Sequence, residues 1–189
     1  MKYPKYKKCH VSQTFECFDL FKKFLKDFDI VIEIGTYSGG FTYFISENTD
    51  AKVYTFDIVH PDKRNANGDL SIIDIFCTNN ITFIEDNAFN KIDFIKNIIK
   101  NKKTLLLCDG GDKNAEINTF CSILSEGDVI MCHDYDDGDF EKIKKNIGWP
   151  LGAESNYNNI KVALEENNFK KFKLYNELKN NLWGSFIRH

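Results

Sequence analysis

The chain has 189 residues, 42% hydrophobic and 28% charged, enough for one compact domain with a full core over 1–189. A net charge of −3 and a pI near 5.8 argue against a protein whose main partner is a nucleic-acid backbone. No apolar run approaches the ~20 residues that span a bilayer, and Met1 to Lys8 lacks the apolar core of a signal peptide, so a cytoplasmic protein is expected.

Residues 1–11 are basic and aromatic and are expected to form a surface arm, more a solvated tail than a cover for substrate. Thr14 to Phe28 reads as an amphipathic helix: Phe15, Phe18, Phe21, Phe24, Leu25 and Phe28 recur at three- and four-residue steps, with Lys22, Lys23 and Lys26 opposite. Ile30 to Ile34 is an apolar, β-branched run, the pattern of a strand buried on both faces. It ends at Gly35, and a turn with Gly39 and Gly40 leads into a helix from Phe41 to Ser46. A strand, a glycine turn and a helix N-terminus let the backbone come close to a polar ligand and leave N–H groups pointing outward.

Four further strand–helix alternations follow. Strands are predicted at Lys52 to Asp57, Ile81 to Glu85, Thr104 to Cys108 and Asp128 to Cys132. Helices are predicted at Asp69 to Cys77, after Ala88 to about Ile99, at Lys113 to Leu124 and at Asp139 to Ile147. A short helix near Tyr157 to Asn167 precedes two last strands, Phe169 to Tyr175 and Leu182 to Ile187, joined by Glu177 to Asn181. This alternation predicts a doubly wound, mostly parallel seven-stranded Rossmann-like α/β sheet with a C-terminal antiparallel hairpin. The cysteines, Cys9, Cys17, Cys77, Cys108, Cys121 and Cys132, include no C-x-x-C pair and suggest neither a zinc site nor a disulfide framework.

Ligands of such sheets sit beyond the carboxyl ends of the strands. The residues there are Glu33 and Gly35, Asp57, Asp86 and Asn87, Asp109, and His133 and Asp134. Polar strand ends are ordinary, but an acid at every one costs mutual repulsion and points to function. Glu33, two positions before the first glycine, would repel a pyrophosphate and suits a ligand bearing an ammonium or sulfonium group. The G-x-G-x-x-G spacing and the phosphate-loop lysine are both absent.

The E-x-G-x-x-x-G run, Glu33 to Gly39, resembles the first motif of class I S-adenosylmethionine-dependent methyltransferases. That resemblance implies that Glu33, Gly35, Thr36, Tyr37, Ser38 and Gly39 hold the amino-acid end of the cofactor. It implies that Asp57 takes the ribose hydroxyls and Asp86 or Asn87 the adenine, with Asp109 also among the cofactor-binding residues. Leu105 to Lys113 and Leu124 to Tyr135 resemble metal-dependent small-molecule O-methyltransferases and the cephalosporin-hydroxylase-like subgroup. In those, acids after the fourth and fifth strands bind Mg²⁺, which here implies Asp109 and Asp134, with His133 beside them. Two hard oxygen donors on neighbouring strand ends fit such a cation. The alternatives are His133 as a general base oriented by Asp134, or Asp134 and Asp136 as helix caps. Lys113 is open between a catalytic base and a helix-surface lysine, since relatives carry their lysine one residue nearer the acid. Trp149, Glu154, Tyr157, His10 and His60 are weaker candidates for the mouth of the site.

The sequence thus reads as a methyltransferase using S-adenosylmethionine, with or without Mg²⁺, on an oxygen of a small molecule or sugar. It implies no membrane partner, disfavours nucleic acid and allows a homodimer. The competing readings are a nucleic-acid or protein methyltransferase, or a non-catalytic nucleoside-binding protein of the same fold.

Overall fold

The computed structural model describes residues 5–6, 9–63, 80–148 and 151–189. The helix predicted over 69–77, with Cys77, lies outside the described residues, as does Trp149. Seven strands form one sheet: β1 (Ile30–Ile34), β2 (Lys52–Asp57), β3 (Ile81–Glu85), β4 (Thr104–Cys108), β5 (Val129–Cys132), β6 (Phe169–Lys171) and β7 (Gly184–Arg188). Their order is β6-β7-β5-β4-β1-β2-β3; β1 to β5 run parallel, and β7 pairs antiparallel with both β5 and β6. This is the predicted fold class. Every residue of β1 and of β4 is buried, as central strands with covered faces require.

The pleat assigns each side chain to a face. Ile30, Ile32 and Ile34 join one core, with Leu106 and Ile130, under α3 (Ile92–Ile99), α4 (Lys113–Phe120) and α6 (Tyr157–Glu166). Val31, Val53, Leu105 and Leu107 join the other, under α1 (Phe15–Lys22) and α2 (Gly40–Glu47). Glu33 shares its face with Val31, so the only acid of β1 points under α2. Beyond α4, α5 (Phe140–Ile147) packs Phe140 and Ile143 against Leu182.

Three expectations need correction. The first helix ends at Lys22 rather than running to Phe28, because the Lys23 and Phe24 amides turn to Leu20 and Phe21 and a 3-10 turn follows at Leu25–Asp27. Its stripe is buried except for Phe15, which is 61% exposed. The terminal connection is not a plain turn: α7 (Tyr175–Lys179) sits between β6 and β7, with Leu178 buried. Tyr175 turns inward, its hydroxyl bonded to Tyr135 (2.9 Å) and donating to Asp137 (2.8 Å).

The third correction concerns the N-terminus. Lys5–Tyr6 pairs antiparallel with Cys9–His10, and Cys9, Val11 and Gln13 are buried. The His10 carbonyl and Val11 Cγ1 lie 2.4 and 2.5 Å from where a Cβ on Gly40 would stand. The segment is therefore packed against α2, not a solvated tail. Among the described residues no helix is long and apolar enough to cross a membrane.

Candidate active site

The strand order reverses between β1 and β4, and there a cleft of about 620 Å³ opens at the carboxyl ends. Gly35 has φ +95°, and a Cβ on it would lie 2.2 Å from the Asp109 carbonyl oxygen. Only glycine lets the loops after β1 and β4 touch this closely. Gly35→Ala is therefore expected to cost about 2–3 kcal/mol of stability, from the positive φ and the backbone clash. Urea unfolding checks it; an unchanged midpoint would mean that the loops separate freely.

Glu33, Gly35, Thr36, Tyr37, Asp57, Asp86, Asn87, Asp109, Lys113, His133 and Asp134 all line the cleft, so the structure brings these predicted residues together. Ser38 and Gly39 are not among its lining residues. Instead Gly39, at φ 74°, caps α2. His10 and Glu154 also line the cleft, whereas His60 and Tyr157 do not.

At the glycine turn, Glu33 is buried and its Oε2 accepts from the Thr42 (2.5 Å) and Thr55 (2.6 Å) hydroxyls. Thr36 lies 2.6 Å from Thr55 and completes the relay. Burial pushes the Glu33 carboxyl up to about 8 against the pull of these donors. Asp57 accepts from the Tyr37 N–H (2.9 Å) and the Val59 N–H (2.9 Å), which fixes the plane of its carboxylate. Asp86 is taken up by local donors, namely the Asn87 amide, the Asn90 side chain and Lys91, and the Asn90 bond leads in holding its carboxyl below the ordinary range.

At the other end, Asp109, His133 and Asp134 each offer a ligand atom, and these atoms lie within 4.8 Å of one another. His133 Nδ1 is 3.3 Å from Asp109 Oδ1 and 3.5 Å from Asp134 Oδ2. Its ring lies against Trp183, 4.8 Å between centroids. Burial alone would lower the imidazole pKa, but the two carboxylates outweigh it and raise it. Asp134 has φ +50°, unusual for a residue with a Cβ, and its carbonyl accepts from the Glu154 and Ser155 amides.

Lys113 is not a surface lysine: it is 3% exposed. The Gly110–Gly111 turn absorbs the extra residue, Asp112 caps α4, and the Lys113 ammonium folds back to donate to the Gly110 carbonyl (3.0 Å) and to Glu154. It lies 3.7 Å from Asp109 and 3.8 Å from Asp134. Burial would lower its pKa, yet Asp109, Glu154 and Asp134 together raise it, so it is held as a cation.

Glu116 and Gln13 are among the cleft residues that were missed in the sequence. Glu116 accepts from the Gly110 N–H (3.3 Å), and burial pushes its carboxyl up to about 7. Gln13 donates to Asp109 Oδ2 (2.8 Å). A signal for Gln13 existed: Cys9, Val11 and Gln13 alternate with His10 and Ser12, the period of an extended segment with one buried side.

A doubly wound sheet with an acid-rimmed cleft at its switch point defines a ligand-binding α/β protein of the methyltransferase architecture. The sequence profile of the FtsJ-like methyltransferase family matches residues 6–147, and the chain belongs to that family. Among solved structures it is similar to CmcI in its apo form, with TM-score 0.64 and 12% identity, over 98% of this chain and 76% of that one. It is also similar to CmcI with Mg and S-adenosylmethionine, with TM-score 0.63 and 13% identity, over 98% of this chain and 76% of that one. An O-methyltransferase family protein from Burkholderia thailandensis matches with TM-score 0.57 and 8% identity, over 91% of this chain and 54% of that one. At such identities the likeness establishes the fold. No curated protein sequence matches the chain.

Proposed function

We propose that this methyltransferase uses S-adenosylmethionine and methylates an oxygen of a small molecule or a sugar, with a divalent cation held by Asp109, His133 and Asp134. The observation that carries the cofactor reading is Glu33, a buried carboxyl whose hydrogen-bond partners are hydroxyls, facing the cleft beside a glycine turn. A cationic amino-acid end and sulfonium fit that site, and a pyrophosphate does not. Asp57 lines the cleft with its carboxylate oriented by two backbone amides, and its paired oxygens match the two ribose hydroxyls. Asp86 is engaged by Asn87, Asn90 and Lys91, whereas the Asn87 side chain commits only its Oδ1, to the Phe89 N–H, so the Asn87 side-chain NH2 is the better partner for adenine.

S-adenosylmethionine supplies a methyl group on an excellent leaving group, so the residues mainly align the acceptor oxygen with it. The donor set of two carboxylates and an imidazole suits a divalent cation, which would lower the pKa of an acceptor hydroxyl. Lys113, held protonated, balances the acids and orients them rather than accepting a proton. Its ammonium is already engaged by Asp109, Asp134 and Glu154, so an anionic acceptor would meet carboxylates first. A neutral hydroxyl compound fits better, and CmcI named with Mg and S-adenosylmethionine supports the pairing of cation and cofactor.

Calorimetry with S-adenosylhomocysteine tests the cofactor. Micromolar binding is expected, and Asp57→Ala should weaken it about 10- to 100-fold, the worth of charged hydrogen bonds. No heat with the wild-type protein would sink the reading, and unchanged affinity in Asp57→Ala would remove Asp57 from the ribose role.

A further inference from the structure

Asp109 is held from a distance of 96 residues in sequence by Gln13 Nε2, which donates to Oδ2 at 2.8 Å. The other oxygen, Oδ1, faces His133 Nδ1 (3.3 Å) and Lys113 (3.7 Å). The two oxygens thus have different work: one is tied to the N-terminal segment, and the other turns toward the acids and bases of the cleft. Gln13 is 2% exposed, and its Oε1 is buried with no hydrogen-bond partner among the described residues. The amide cannot flip to relieve this, since flipping would set its carbonyl against the carboxylate. An orphan carbonyl is retained where the donor half of the same amide is needed.

The segment that carries Gln13 is itself fixed. Cys9 and Val11 are buried, the His10 carbonyl and Val11 side chain press on Gly40, and Tyr6 packs edge-on against Phe18 and Phe44. Neighbouring His10, Val11 and Ser12 line the cleft with Gln13.

We infer that Gln13 is a positioning residue for Asp109, and that residues 10–13 are a working wall of the cleft. An amide serves here because it donates without adding charge, so Asp109 stays an acceptor whose Oδ1 keeps its direction. An ammonium at this position would neutralise the carboxylate, and an apolar side chain would let it rotate. The consequence for turnover rests on the methyltransferase reading; the link between Gln13 and Asp109 does not.

The test pairs Gln13→Met, which keeps the length and packing but removes the donor, with Gln13→Asn, whose amide falls one methylene short. Both should lower kcat about ten- to a hundredfold, while the affinity for S-adenosylhomocysteine and the unfolding midpoint stay near wild type. A merely packed side chain predicts wild-type kcat in Gln13→Met, and that result overturns the inference. The second measurement needs no turnover. In the wild-type protein the Gln13 side-chain N–H protons should exchange slowly with solvent by NMR, and Asp109→Ala should release them. Fast exchange in the wild type, or protection that survives Asp109→Ala, also overturns it. If S-adenosylhomocysteine gives no heat with the wild type, the cofactor reading falls alone, and the exchange measurement still decides for or against Gln13.

Discussion

Glu33→Gln should make the ligand-free protein more stable at alkaline pH and its cofactor binding weaker. The carboxyl of Glu33 is pushed up to about 8 by burial, from an ordinary value of 4.5. A raised carboxyl pKa favours the folded state only while the group is protonated. Its contribution is complete below pH 4.5, declines as the unfolded chain ionises, and is gone above about 8. The span corresponds to a swing on the order of 5 kcal/mol. Glutamine imitates the protonated form and does not titrate. The stability difference between Glu33→Gln and wild type should therefore grow from pH 5 to pH 8 and then level off. Urea unfolding across that range measures it. Comparing the variant with the wild type isolates this group from Glu116, which is also shifted.

The same substitution removes the negative charge that a sulfonium and an ammonium would meet. A charged hydrogen bond is worth about 1.5–3 kcal/mol, or roughly 10- to 100-fold in affinity. In the wild type at pH 7, binding a cation should expel most of one proton from Glu33. Calorimetry in buffers of different ionisation enthalpy reads that proton directly. A variant with wild-type affinity and a wild-type pH profile would show that Glu33 neither titrates in this range nor faces the cofactor. The expected pattern is a residue kept for binding at a cost in stability, since Thr42 and Thr55 do not fully repay its burial.

How much of this was legible follows from which contacts are local. β1 and β4 could be read because a central parallel strand needs a nearly continuous apolar run, and Ile30–Ile34, interrupted only by Glu33, and Thr104–Cys108 supply one. The glycine turn could be read because Gly35 must do what no side chain allows, and the acids at the strand ends because topology alone places them together. Lys113 could not be settled, since its fate depends on how the Gly110–Gly111 turn directs the start of α4. Glu116 was invisible for a similar reason: its carboxylate enters the cleft only because Gly110 has no Cβ, and one would lie 2.3 Å from Oε1. Gln13 depends on a contact 96 residues away, and the arm before it looked like a tail because basic and aromatic residues dominate its sequence. The helix α7 was hidden in a polar stretch whose inward anchor, Tyr175, bonds to Tyr135 and Asp137 from a different part of the chain.

Asp109→Asn and Asp134→Asn carry the largest expected effect on turnover, and they separate two ways of handling charge at the acceptor end. In one, Asp109, His133 and Asp134 gather a divalent cation, which their 4.8 Å grouping permits. In the other, the Lys113 ammonium, 3.7 and 3.8 Å from the same two carboxylates, is the only cation the site needs. The first predicts that Mg²⁺ stabilises the folded protein by mass action, about 2.7 kcal/mol at a hundred times its Kd. For a chain of this size that is a rise of roughly 5–10 °C in Tm. It predicts loss of the rise in either Asn variant, and turnover reduced on the order of 10²–10³-fold, by analogy with removing one charge-stabilising group from a site. The second predicts full turnover in chelator and no Mg²⁺ effect on Tm. Under it, the Asn variants would still suffer, because a buried ammonium loses its partners, but Lys113→Met would suffer most. Under the first, Lys113→Met should retain its Mg²⁺-dependent rise in Tm, since the three ligand groups remain. The metal reading survives only if the wild type shows that rise and both Asn variants lack it.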